Sequence, residues 1–326
     1  MRALVTGATG LIGNAIVRRL GADGHEVRAL VRSRSASVPE GAEQVRGDVT
    51  DPASLADAVA GCDVVFHAAG LPEQWRRDEA DFDRVNRQGT ANVLTAARDA
   101  SVSRVIYTST MDVFRADEHG VLRESQPDPD PKPSAYERSK VAAEREADRF
   151  VAAGLDIVFL NPSSVYGPSP TTTGTTQLFI RLAQRKAPML PPGGMTLAYV
   201  DAVAEAHVAA VERGGAGERY LLADTYAPMR DLAQRIATQL HLRRVPPSAP
   251  AWLLKVIAGA SAPLARTFGF TPLLAPGELT FLLWEAKVDS SKAQRELGYT
   301  PVDLDAGIAL TIADLRRRGA LPPPSS

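Results

Sequence analysis

Apolar residues in the first half of the chain come in short runs, separated by stretches whose apolar positions recur every three or four residues. Ala3–Val5 is such a run, almost at the first residue. After a glycine-rich turn, Leu11, Ile12, Ala15, Ile16 and Leu20 fall on one face of a helix, which Gly21 and Gly24 close. Glu26–Val31 is the next extended run. The rhythm recurs: Val64–His67 reads as a strand, Phe82–Arg98 as a helix, Val105–Ser109 as a strand, Ala135–Ala153 as a helix and Ile157–Leu160 as a strand. Strands alternating with helices predict an α/β fold with a doubly wound parallel sheet covered on both faces. No internal repeat is visible.

Beyond about residue 160 the rhythm loosens. Prolines and glycines crowd Pro162–Gly174 and Pro188–Gly194, with a helix expected over Asp201–Val211 and a strand over Arg219–Leu222. Val245–Trp284 is rich in Leu, Ala, Pro and Phe, Leu304–Arg318 reads as an amphipathic helix, and the tail Pro322–Ser326 is expected to fray. Residues 1–160 therefore read as a dinucleotide-binding domain, with segments returning to it from the second half. Residues 161–326 read mostly as a smaller, irregular α/β substrate lobe.

Composition narrows the function classes. Of 326 residues, 44% are apolar and 23% charged, a balance that excludes a disordered chain. Lys+Arg number 37 against 38 Asp+Glu, so no basic field points to a nucleic acid. A lone cysteine, Cys62, excludes an internal disulfide and a cysteine-based zinc site. His25, His67, His119, His207 and His241 fall in no metal-binding spacing, so no metal is expected. With no secretory signal pattern and no apolar run long enough for a membrane span, the cytoplasm is the expected compartment.

The turn Thr6-Gly7-Ala8-Thr9-Gly10-Leu11-Ile12-Gly13 lies between the first strand and the first helix. Glycines there let the backbone turn tightly and approach a pyrophosphate, and the helix start offers free N–H groups and partial positive charge. The spacing is Gly-x-x-Gly-x-x-Gly, and the turn resembles that of the extended short-chain dehydrogenases/reductases. The resemblance implies a Rossmann sheet and places Gly7, Thr9, Gly10, Leu11, Ile12 and Gly13 on the cofactor. It also places Asp48 and Val49 at the adenine edge and Ala68, Ala69 and Gly70 beside the cofactor, with His67 a strand-end residue and not a base.

The second strand ends Val31-Arg32-Ser33-Arg34, without the carboxylate that would hold the ribose hydroxyls of NAD. A guanidinium there suits a 2′-phosphate, so NADP(H) is favoured, with Arg32 the main contact and Ser33 and Arg34 helpers; NAD(H) stays open.

Tyr136 and Lys140 stand at i and i+4, one turn apart on one helix face. A phenol titrates near 10, and a nearby ammonium favours the phenolate, which makes Tyr136 a workable acid–base at neutral pH. The resemblance adds that Lys140 holds the nicotinamide ribose. It implies a third member, a hydroxyl on the preceding strand end: Thr110, with Ser109 the alternative. It also places Thr108, Pro162, Ser163 and Ser164 beside the cofactor. Asn86, in Asn-x-x-Gly-Thr, either supports the site or sits on a helix surface.

Three features bear on the reaction. Met195-Thr196 stand before Tyr199-Val200-Asp201 where sugar-nucleotide enzymes of the family carry Arg-Asp. Met111-Asp112 follow Thr110 where its dehydratases carry Asp-Glu, so one carboxylate is missing. The second lobe is apolar at Trp252–Leu254, Val256, Ile257, Phe268, Phe270, Leu273, Leu274 and Phe281–Trp284. That surface suits either a hydrophobic substrate, helix packing or a dimer face. The resemblance runs to the dihydroflavonol-reductase and 3β-hydroxysteroid-dehydrogenase branch. It implies a ketone/alcohol oxidoreductase acting on a small hydrophobic molecule, and a homodimer paired beside the Tyr136 helix. A sugar epimerase with a tightly held cofactor and a non-catalytic cofactor sensor are the other readings.

Overall fold

The structure, a computed structural model, describes all residues except 34, 73–75, 130–131, 172–173, 269–275 and 323–326. The first strand and helix are β1 (Arg2–Thr6) and α1 (Leu11–Ala22). β2 (Glu26–Val31), β3 (Glu43–Arg46), α2 (Leu55–Val59) and β4 (Val64–His67) follow. Next come α3 (Ala80–Phe82), α4 (Gly89–Asp99), β5 (Arg104–Thr108), the pair β6 (Phe114–Ala116) and β7 (Val121–Pro127), α5 (Ala135–Ala152) and β8 (Ile157–Pro162).

The second half holds β9 (Ser164–Tyr166), α6 (Thr176–Ala183), β10 (Gly194–Tyr199), α7 (Val200–Arg213), β11 (Arg219–Leu222) and β12 (Thr225–Pro228). It ends with α8 (Met229–Gln239), α9 (Ala251–Phe268), α10 (Pro276–Trp284), β13 (Lys287–Val288), α11 (Ser291–Leu297) and α12 (Leu304–Arg317).

Seven parallel strands form the main sheet in the order β11-β8-β5-β4-β1-β2-β3. Chain order runs outward in both directions from β1 and β4, so the topological switch lies between them, the place where a doubly wound sheet opens a crevice at its carboxyl ends. Strand alternation splits each strand between two cores. Ala3, Val5, Phe66 and Ile106 pack under Ile16 and Leu20 of α1 and Val203 of α7. Leu4, Val65, Val105 and Tyr107 pack under Val93 and Leu94 of α4 and Ala143 and Ala147 of α5. β11 and α7 come from the second half of the chain.

The second lobe carries a small sheet, β12-β10-β9, under α6, α8 and α12. The expected helix over Phe82–Arg98 is present but is not one α-helix: Asp83–Gln88 is wound as a π-helix between α3 and α4. There the Asn86 carbonyl accepts the Thr90 hydroxyl at 2.5 Å while the Asn86 side chain turns inward. Such bulges cluster at functional sites. In the apolar stretch, Leu254, Ala258 and Leu279 bury against one another, whereas Trp252 and Val256 stand 67% and 62% exposed on the outer face of α9. Phe270, Leu273, Leu274 and the tail beyond Pro322 lie outside the described residues.

Candidate active site

The glycine turn is built by backbone lying on backbone. Gly7 sits at φ +71°, and a Cβ on it would lie 2.6 Å from the Ala68 carbonyl oxygen. A Cβ on Gly13 would lie 2.2 Å from the Gly7 oxygen, so only glycine lets α1 start this close to β1. Gly10 is looser, 3.3 Å from the same oxygen, and closes the turn by donating its N–H to Gly7 at 2.9 Å. It is the N-cap of α1. No side chain caps this helix and no acid stands in its first turn, so the opening N–H groups at Leu11, Ile12 and Gly13 remain for an anion. Thr9 is half-buried in the turn, and Ala68, Ala69 and Gly70 line the neighbouring strand end across the switch point. The cradle fits a dinucleotide pyrophosphate.

A relay of polar groups ties this turn to the Tyr136 helix. The Ala69 N–H donates to Thr6 Oγ1 (3.1 Å), which lies 2.8 Å from His67 Nδ1. His67 Nε2 lies 3.0 Å from Thr90 Oγ1, whose proton goes to Asn86. The partners assign one tautomer: Nε2 carries the proton and Nδ1 accepts. Burial, helped by the Lys140 charge, pushes the His67 imidazole down to about 3, so it stays neutral and structural. Asn86 is 1% exposed. Its amide accepts from Leu71 N–H (2.7 Å) and donates to Ser139 Oγ (2.9 Å), while Ser139 donates to the Tyr136 carbonyl (2.6 Å). Of the two readings left open for Asn86, the geometry excludes a helix surface: the buried amide holds the Leu71 backbone and the Ser139 hydroxyl.

Arg32 and Ser33 are exposed just beyond β2, and the Ser33 hydroxyl meets that of Ser35. Arg34 lies outside the described residues. Asp48 spends one carboxylate oxygen on the N–H and hydroxyl of Thr50, and the Val49 side chain is buried against Gly89.

The helix carrying Tyr136 and Lys140 begins with a capping box. Ser134 accepts the Glu137 N–H and Glu137 returns to the Ser134 N–H, which fixes the first turn that presents Tyr136. Tyr136 is half-buried, edge-on to Phe82 at 6.1 Å. Lys140 is buried. Its ammonium donates to the Thr108 carbonyl (3.1 Å) and lies 5.0 Å above the Tyr107 ring. Burial pulls it down to about 8, against the opposing fields of Glu144 and Asp112. Thr108 thus holds Lys140 through its carbonyl, while its hydroxyl meets His207 Nε2 (2.9 Å) in the core.

Thr110 caps a single 3₁₀ turn, Met111–Val113. Its hydroxyl donates to Asp112 Oδ2 (2.7 Å), its carbonyl accepts the Asn161 amide (3.0 Å), and Asn161 also donates to Glu144 (2.7 Å). Ser109 Oγ and Ser163 Oγ are buried without a partner, as is Asp112 Oδ1. Orphaned polar atoms clustered along the β5 and β8 ends are what a polar ligand edge would satisfy. Pro162 ends β8, and Ser164 opens β9 half-buried. Asp112, Asn161 and Glu144 were not among the expected site residues. Only the Thr-x-Asp spacing of Thr110 and Asp112 carries a sequence signal for them, that of a side chain capping a turn two residues on.

A doubly wound sheet with a glycine cradle at its switch point and a Tyr–Lys helix beside it defines a dinucleotide-dependent enzyme. The chain belongs to the NAD dependent epimerase/dehydratase family, whose model matches residues 3–223. It is similar to a putative dihydroflavonol 4-reductase of Synechocystis, 32% identical over 94% of this chain and 92% of that one. It is also similar to the 4-hydroxy-2-methyl-3-oxo-4-farnesyl-3,4-dihydroquinoline-1-oxide ketoreductase of Stigmatella aurantiaca, 33% identical over 99% of both chains. The structure of MoeE5 in complex with UDP-glucose and NAD superposes with a TM-score of 0.76 at 25% identity, over 98% of this chain and 99% of that one. The protein is an NAD(P)-dependent oxidoreductase of the extended short-chain dehydrogenase/reductase type. Among the described residues, no helix is long and apolar enough to cross a membrane.

Proposed function

We propose that the protein interconverts a ketone and a secondary alcohol on a small, apolar substrate, with NADP(H) as the preferred cofactor. The observation that carries this reading is the Lys140 ammonium, buried one helical turn from Tyr136 and steered by the Thr108 carbonyl toward the strand ends. When bound, the dinucleotide supplies hydride to a carbonyl carbon, or takes it from a carbinol.

The remaining work falls to the chain. Tyr136 gives its phenolic proton to the oxygen as the carbonyl becomes a hydroxyl, and takes it back in the reverse direction. Lys140 favours the phenolate form of Tyr136 and holds the nicotinamide ribose. Thr110 positions the substrate oxygen, and Ser163 and Ser164 meet the nicotinamide edge. The absence of an arginine at Met195-Thr196 removes the grip a nucleotide diphosphate would need, and the reductase-named sequence relatives of Synechocystis and Stigmatella support a carbonyl substrate.

The test is a spectrophotometric screen of aryl and alkyl ketones and their secondary alcohols with NADPH, NADP, NADH and NAD. Turnover of an apolar ketone with bulk NADPH consumption is the expected result. A cofactor that co-purifies, with inversion of a sugar carbinol and no net consumption, overturns it. Arg32 is exposed beyond β2, and Arg32→Ala is expected to raise the KM for NADPH roughly tenfold and leave that for NADH unchanged, as loss of one charge-assisted contact to a phosphate would.

A further inference from the structure

Thr110 Oγ1 has one proton and two lone pairs. In the structure the proton goes to Asp112 Oδ2 at 2.7 Å, and one lone pair faces the Asp112 N–H at 3.3 Å. A single lone pair remains. In this arrangement Thr110 can only accept from a substrate oxygen, which suits a hydroxyl and not a carbonyl.

Asp112 itself is 6% exposed, and its second oxygen is buried without a partner. The charged groups that bear on it are Glu137 and Lys140 of α5 and Lys132 of the segment leading into α5. None of the three neutralises it directly. Lys132 is paired with Asp128 and the Phe114 carbonyl, Lys140 is held by Thr108, and Glu137 closes the capping box.

We propose that Asp112 is a positioning residue that sets how Thr110 meets the substrate oxygen. Ionised, it keeps the Thr110 proton and leaves an acceptor for the alcohol; protonated from solvent, it donates to Thr110 Oγ1 and frees that hydroxyl to donate to the ketone. This rests on the ketone/alcohol reading above. Burial without a bonded cation raises the Asp112 carboxyl to about 6, which brings the exchange into the working pH range. Ketone binding then takes up a proton, and alcohol binding releases one.

Dead-end complexes read this without turnover: the ketone on the enzyme with NADP, and the alcohol on the enzyme with NADPH. The probes are the ketone–alcohol pair turned over fastest in the screen, followed as inhibition constants across pH. Ketone affinity is expected to weaken about tenfold per pH unit above pH 6, and alcohol affinity about tenfold per unit below it. Both slopes disappear in Asp112→Asn, whose amide does not titrate, and in Thr110→Val, which keeps the acid but lacks the hydroxyl. In the parent, infrared difference spectra from neutral pH to about pH 5 show a protonated carboxyl band that is missing from Asp112→Asn. Flat affinities in the parent, or slopes that survive in either variant, overturn the proposal and leave the reaction assignment standing. A screen silent toward every ketone and alcohol overturns the reaction assignment, and this proposal with it.

Discussion

The glycine turn and the second lobe are built in opposite ways. Around the glycine turn, contacts are backbone on backbone, and the relay of Thr6, His67, Thr90, Asn86 and Ser139 is bonded throughout. In the second lobe, α9 turns Trp252 and Val256 outward, and its buried residues form a cluster of their own. The difference teaches where tolerance lies. The glycine turn has no slack for an added atom, while α9 keeps apolar side chains on an outer face that nothing among the described residues covers.

The largest expected effect breaks the chemistry without touching the frame. Tyr136→Phe removes the phenolic proton and should lower kcat by roughly 10²–10⁴-fold, while cofactor affinity read by fluorescence titration stays within a few-fold. Unchanged turnover would show that the proton comes from elsewhere.

Next, the glycines grade the frame. Gly13→Ala puts a methyl 2.2 Å from the Gly7 oxygen, whereas Gly10→Ala meets it at 3.3 Å. The first should unseat α1 and abolish measurable dinucleotide binding with a fall in Tm; the second should weaken binding far less. Equal losses would mean that phosphate approach, and not helix seating, sets the demand for glycine.

Asn86→Ala leaves the Leu71 N–H without its acceptor and Ser139 without its donor, and should cost about 1–3 kcal/mol in chemical denaturation. A loss near zero would show that water replaces the amide there. The smallest effect belongs to the lobe: Trp252→Ser, at a side chain 67% exposed, should change stability by no more than about 0.5 kcal/mol. A large loss would place α9 in a contact that the single chain does not contain.

The sequence made the frame legible where burial is two-sided. β1, β4, β5 and β8 carry unbroken apolar runs because helices cover both faces, and those runs stand out. β3 was invisible because it is an edge strand whose Glu43, Gln44 and Arg46 are exposed. β6, β7 and β13 form a small separate sheet with no long apolar run.

The Tyr136–Lys140 spacing was readable because helical neighbours are fixed by period. What holds Lys140 was not, because the Thr108 carbonyl belongs to another element and no residue type announces a backbone oxygen. Asn86 was half legible: its motif was visible, but the π-wound turn that swings it inward depends on Leu71 and Ser139, far off in sequence.

The imidazole of His67 lies wholly out of solvent between two threonine oxygens, with its one ring proton held against Thr90. A proton so enclosed trades slowly with bulk water and resonates far from the amide envelope. One nitrogen-15 label at this ring therefore gives a native beacon beneath the crevice floor, whose chemical shift registers nucleotide docking without any dye, tag or added cysteine.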